Sequence, residues 1–291
     1  MSTPDAQFQY VEGQARPVFP SLLADYEARG AATVSAQPCT LDLPYGPGMR
    51  ETFDFFPAAG AAQGTLLYFH AGYWQSRDKA GFRFIAPAVT RRGWHAALVN
   101  YPLCPSVSLA ALLDACRAAV PAVAAHAHSL DRCALPLVAA GHSAGGHIAV
   151  ELALTDWPRT ANAAPGIDGA IALSGIYDLA PLLATTLNQK LGLDTGSAAA
   201  HSPLHRARAG MAPALFAVGG AETPAFLDQS TRMHQAWLAA GNRSDLEVVA
   251  DADHFSLLEA FTAADGALAS KTDALLEQAR QHFARRTGSP R

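Results

Sequence analysis

The chain has 291 residues, half of them hydrophobic and only 16% charged, with 21 basic and 25 acidic side chains summing to −4. A charged fraction below the usual ~25% excludes a disordered polyelectrolyte, and at this length folding buries roughly three quarters of the unfolded surface, enough for a large core. No run of Lys or Arg offers a nucleic-acid or membrane-surface footprint, and the short basic tail with Arg285, Arg286 and Arg291 reads as solvated chain end.

In chain order, a polar leader without a basic start or apolar stretch shows no signal peptide. Residues 17–30 read as a short helix, with Leu22, Leu23 and Tyr26 at helical spacing. Residues 51–56 alternate like a half-buried strand. Short continuous apolar runs follow at 65–69, 96–100, 135–139, 170–173, 214–218 and 246–249, as expected of strands covered on both faces. Helical stretches lie between and after them at 82–91, 109–125, 145–155, 225–240 and 268–283. Length alone suggests about two domains, but this alternation predicts one α/β domain, a mostly parallel sheet flanked by helices. Residues 177–211 break the rhythm and read as a small cap insertion.

Cys39, Cys104, Cys116 and Cys133 show no C-x-x-C spacing, so neither a zinc site nor a redox pair is expected. No apolar run approaches the ~18 residues of a membrane span. The expectation is a soluble cytoplasmic protein acting on a small molecule without metal or cofactor, independent of nucleic acid and membrane, and compatible with a homodimer.

The sharpest local signal is G-H-S-A-G-G at 141–146, between a buried strand and a helix. A tight strand-to-helix turn would project Ser143 above the sheet, small neighbours would allow the close approach, and the helix N-terminus would face any developing anion. A chance G-x-S-x-G in a chain rich in Gly and Ala is the competing reading; the flanking strand and helix disfavour it. Upstream, His70-Ala71-Gly72-Tyr73-Trp74 follows the strand ending at Phe69, and the N–H groups of Gly72, Tyr73 and Ala144 are the oxyanion donors it offers. An ordinary strand-end turn would look similar.

A serine hydroxyl needs a base, and the base needs an orienting acid. Of eleven histidines, His254 lies just past the last strand, at the carboxyl edge where open α/β sheets bind ligands. His142 and His147 flank the elbow and read as packing groups. His234 and His282 read as helix-surface residues. The pairs His126/His128 and His201/His205 lack the convergent ligands a metal needs. For the acid, Glu222 follows the strand at 214–218; Asp228 is the runner-up, expected to face solvent. A charge at a helix N-terminus is the bland account of Glu222.

These segments together resemble the α/β-hydrolase superfamily, and within it the arylformamidase (kynurenine formamidase) group, near the hormone-sensitive-lipase-like esterases. The matching pieces are 70–74, the elbow through His147, G-G-A-E-T-P-A-F at 219–226 with Gln229-Ser230, and Asp253-His254-Phe255, supported by 45–48, 82–87, 99–101 and 174–178. The likeness runs from about residue 40 to 261. It implies an α/β-hydrolase fold and a cofactor-independent serine hydrolase with Ser143, His254 and Glu222 as triad. It further implies cleavage of N-formyl-L-kynurenine to L-kynurenine and formate, with Trp74, Tyr177 and Phe255 as aromatic pocket walls. The alternatives are a carboxylesterase on short acyl or aryl esters and a non-catalytic ligand-binding relative. Two departures stand out. Ala71 replaces a family glycine and would be strained if φ there were positive, and Pro102 and Cys104 interrupt the family's N-Y-R-L-A-P run, removing an arginine.

Overall fold

A computed structural model describes residues 5–157 and 165–288; the first four leader residues and Arg291 lie outside the described residues. Strands β3 (Thr65–Phe69), β4 (His95–Val99), β5 (Leu137–His142), β6 (Gly169–Leu173) and β7 (Ala214–Gly219) are buried at every position. A run with no polar face must be covered on both sides, which a central place in a parallel sheet provides. With β1 (Thr40–Pro44), β2 (Thr52–Phe56) and β8 (Ser244–Val249) they form one eight-stranded sheet, ordered β1-β2-β4-β3-β5-β6-β7-β8. Its β1-β2-β4 pairings are antiparallel and the rest parallel. Phe69 pairs with both Val99 and Gly141, so the chain leaves β3 and β5 at the same level and their loops emerge side by side.

Helices cover both faces. One core joins the sheet to α4 (Leu109–Asp131), α5 (Ala144–Ala153) and α8 (Pro224–Ala239), and also takes in Tyr10 of the short α1 (Ala6–Tyr10). The opposite core gathers residues of α2 (Phe19–Ala36), α3 (Ala86–Thr90), α9 (Leu257–Thr262) and α10 (Ala267–Thr287). Every residue of α5 is buried, His147 and Glu151 included, so this helix lies wholly inside the molecule. Between β6 and β7 the chain forms α6 (Asn188–Leu191), α7 (Thr195–Ala200) and 3-10 turns at Ala180–Ala184 and Pro203–His205. All four cysteines are free.

Several sequence expectations need correction. β8 is not covered on both faces: it is the sheet's edge strand, with four of its six positions partly buried and two exposed, because no strand among the described residues pairs beyond it. β2 is not half-buried: Phe53 to Phe56 are all buried, and Asp54 is tolerated inside because Lys79 (3.0 Å) and Arg83 (2.7 Å) neutralise it. Residues 82–91 form a 3-10 stretch, Lys79–Ile85, before the short α3. The predicted first helix runs on to Ala36, and β1, α1 and α9 escaped notice. The 23-residue α4 is long and apolar enough to cross a membrane by composition, an exception to the expected absence of such a run. Here Leu109, Leu112, Leu113, Cys116, Val120 and Val123 pack into the core at helical spacing, and alanines on the outer face supply the rest of its hydropathy.

Candidate active site

Ser143 occupies the turn between β5 and α5 with φ 58° and ψ −117°, a conformation an L-residue adopts only under constraint. The constraint is close packing. A Cβ on Gly145 would stand 1.9 Å from the Phe69 carbonyl oxygen, so only glycine lets α5 start against β3. The Ser143 N–H donates to the Leu173 carbonyl (2.8 Å) and its own carbonyl accepts from the His147 N–H (3.1 Å). The serine is therefore held on both sides, at 1% exposure.

The loop after β3 is shaped by positive φ at Gly72 (130°), Tyr73 (51°), Trp74 (60°) and Arg77 (72°). Ala71 is not among these residues, so the family glycine it replaces is not missed for its backbone freedom. A Cβ on Gly72 would stand 2.2 Å from the Ser76 carbonyl oxygen, and this residue does require glycine. Among the described residues, the N–H groups of Gly72 and Tyr73 donate to no protein acceptor. Ala144 opens α5, where the first N–H groups have no intrahelical partner. Three uncommitted backbone donors thus lie in the two loops that leave β3 and β5 at one level.

Behind this loop is a buried polar network. His70 places Nδ1 2.7 Å from the Ala71 carbonyl and Nε2 3.0 Å from Asn100 Oδ1, and the Tyr101 hydroxyl donates to the His70 carbonyl (2.7 Å). Asn100 Oδ1 also accepts from Arg50 and from the Lys79 N–H, while Asn100 Nδ2 donates to Asp78. Burial pushes the His70 imidazole down to about 4, keeping it neutral. Arg50 further donates to the Tyr101 and Arg77 carbonyls, bracing the segment where the family arginine is absent.

On the far side of Ser143, His254 Nδ1 donates to Glu222 Oε2 at 2.7 Å, both side chains buried. Glu222 Oε1 accepts from the Gly219 N–H (2.9 Å) and from Ser174 Oγ. Ser174, which the sequence marks only as part of the 174–178 match, sits at φ 47°, and its N–H donates to the Ala217 carbonyl (2.7 Å). Asp228 is exposed on α8 and pairs with Arg232. His142 packs its ring 4.6 Å from that of His254, and burial holds it well below the usual imidazole range. His147 is likewise pushed down to about 3 by burial, with Nε2 2.8 Å from the His201 carbonyl.

Of the expected pocket walls, Trp74 and Tyr177 are fully buried. Trp74 stands edge-on to His147 and Tyr177 edge-on to Phe216. Phe255 lies against His142 and His254 with the Arg77 guanidinium 5.2 Å above its ring. Gln229 proves central: its Oε1 accepts from the N–H groups of Tyr177 and Asp178, and its Nε2 donates to the Tyr10 hydroxyl and the Asp178 carbonyl. Its place in the Gln229-Ser230 match was the only sequence signal for it.

Residues 66–258 match a family model described as the alpha/beta hydrolase fold. The chain is 30% identical over 277 residues to a kynurenine formamidase of Danio rerio, covering 89% of this chain and 91% of the relative. It is 31% identical to a kynurenine formamidase of Salmo salar, covering 75% and 76%. A crystal structure from Silicibacter sp., provisionally named a thioesterase, superposes with TM-score 0.80 at 30% identity, covering 92% of this chain and 98% of that one. The esterase LipW of Mycobacterium marinum shares the fold at TM-score 0.68 and 18% identity, covering 91% and 89%. The chain belongs to the alpha/beta hydrolase superfamily, in the family that includes these kynurenine formamidases, and is a hydrolase.

Proposed function

We propose that this hydrolase removes a small acyl group from an aryl amine, with N-formyl-L-kynurenine as substrate and L-kynurenine and formate as products. The observation that carries the mechanism is the buried His254–Glu222 hydrogen bond, whose imidazole packs on the ring of His142, the residue before a serine on a strained strand-to-helix turn. The substrate class is supported by relatives of 30–31% identity that are named kynurenine formamidases.

In this reading His254 Nε2 takes the Ser143 hydroxyl proton as Oγ attacks the formyl carbon. Glu222 holds Nδ1–H and stabilises the imidazolium that forms. The tetrahedral oxyanion is received by the N–H groups of Gly72, Tyr73 and Ala144, each worth about 2.7–4 kcal/mol of barrier. His254 returns the proton to the departing aryl nitrogen as the C–N bond breaks. Water, deprotonated by His254, then cleaves the formyl ester and frees formate. The near-complete burial of Glu222 and His254 strengthens the hydrogen bond between them.

A second reading, a carboxylesterase on short esters, uses the same residues and draws support from the 30%-identical structure named a thioesterase. The test compares kcat/KM on N-formylkynurenine and p-nitrophenyl acetate, with Ser143→Ala as control. Preference for the formamide supports the first reading; strong preference for the acetate replaces it with the second. Full activity in Ser143→Ala overturns both.

A further inference from the structure

The leader that the sequence left without a role runs across the acid loop. Thr223 Oγ1 donates to the Gln9 carbonyl (2.7 Å), and the Ala225 N–H donates to Gln9 Oε1 (3.2 Å). Arg16 reaches the Ala221 carbonyl at 3.1 Å, and the Tyr73 hydroxyl donates to the Tyr10 carbonyl. The segment therefore touches both loops that flank the nucleophile. At its centre Gln14 is 4% exposed, with Nε2 3.1 Å from Thr223 Oγ1 and 3.4 Å from Glu222 Oε2. Its amide has one sensible orientation, since the amide oxygen in that position would face the carboxylate.

We propose that Gln14 is a positioning residue for the catalytic acid, a role that rests on the assignment of Glu222 and His254 above. Oε1 of Glu222 is fixed by two donors, Ser174 and the Gly219 N–H, whereas Oε2 carries His254 and Gln14 alone. The second Nε2 proton, anchored on Thr223, fixes the direction of the first. Gln14 thus completes a four-donor shell that orients the Oε2 lone pair toward His254, so docking of the leader becomes part of the acid's own environment.

The test uses the full-length protein with Gln14→Met, which keeps the side-chain volume but has no donor, and Gln14→Glu, which sets a carboxylate against Glu222. Circular dichroism checks that each variant folds. For Gln14→Met the expected result is a fall in kcat of about five- to twentyfold with KM within about twofold, the scale of one hydrogen bond to a charged group. For Gln14→Glu it is a larger fall. Independently of any substrate, the downfield proton resonance of His254 Nδ1–H should shift in both variants, because Oε2 loses its competing donor. An unmoved resonance in both variants overturns the proposal, as does loss confined to KM or thermal stability. The resonance also separates this inference from the proposed reaction. A wild-type enzyme inactive on formamide and ester alike sinks the reaction, while the His254 signal still decides the role of Gln14.

Discussion

The two loops beside Ser143 hold their working atoms by different physical means. The loop at 70–77 offers backbone N–H groups, and a backbone donor can be aimed only by fixing the backbone itself. It does so with four residues at positive φ and a buried network of His70, Asn100 and Arg50 behind them. The acid loop at 219–224 offers a side chain, and a carboxylate is aimed by saturating its lone pairs. Glu222 accordingly collects Ser174, the Gly219 N–H, His254 and Gln14. Conformational strain does the work in one loop and hydrogen-bond saturation in the other.

The largest effect that sharpens this contrast is expected at the acid. Glu222→Gln should lower kcat by about a thousandfold or more, as loss of the orienting acid does in a serine triad. Asp228→Asn, on the exposed face of α8, should leave kcat within about twofold of wild type. Steady-state kinetics on either substrate class checks both, and the reverse pattern would move the acid to Asp228.

The next effect belongs to the strained loop. Gly72→Ala forces a Cβ to within 2.2 Å of the Ser76 carbonyl oxygen at φ 130°. The N–H groups of Gly72 and Tyr73 should then lose their aim, lowering kcat by about a hundredfold, the scale of one lost oxyanion donor. A matched Ala71→Gly, where φ is not positive, should change kcat by less than about threefold. Equal effects at 71 and 72 would break the claim that backbone geometry aims this loop.

A smaller effect is expected at Ser174→Ala, which removes one of four donors to Glu222. The fall in kcat should be about tenfold, consistent with a single charge-assisted hydrogen bond. The smallest and most global effect concerns stability. His70 and His147 are neutral inside, at about 4 and about 3, and an unfolded imidazole titrates near 6.5. The unfolded chain therefore binds protons that the folded one refuses. Their stabilisation is fully present above about pH 6.5 and is lost as pH falls toward the folded values. Urea unfolding should give an unfolding free energy lower at pH 5 than at pH 7 by about 2 kcal/mol or more. His147→Gln should flatten that dependence.

Much of the fold was legible because buried parallel strands write themselves as short apolar runs: 65–69 was read to the residue, and 170–173 and 214–218 to within one. Where the chain departs from that rule it was misread. Edge strand β8 looks apolar but lacks a neighbour to cover it, and β2 hides Asp54 behind two cations that are distant in sequence. The elbow was visible because its small residues are contiguous. The pairing of Glu222 with His254 is legible from their place after strands and from the family likeness. The partners that fix the Glu222 carboxylate are not: Ser174 lies 48 residues from Glu222 and Gln14 lies 208 residues away, and no local pattern joins them. Side-chain support assembled by tertiary contact leaves little trace in local sequence.

The central expectation is that Ser143 is a nucleophile activated by His254 and aimed from both loops. Mass spectrometry of the protein after brief exposure to an aryl phosphonate ester tests it directly. One covalent adduct is expected, on Ser143, formed far more slowly in Glu222→Gln and at the wild-type rate in Asp228→Asn. An adduct on another residue, or labelling that persists in Ser143→Ala, would contradict it.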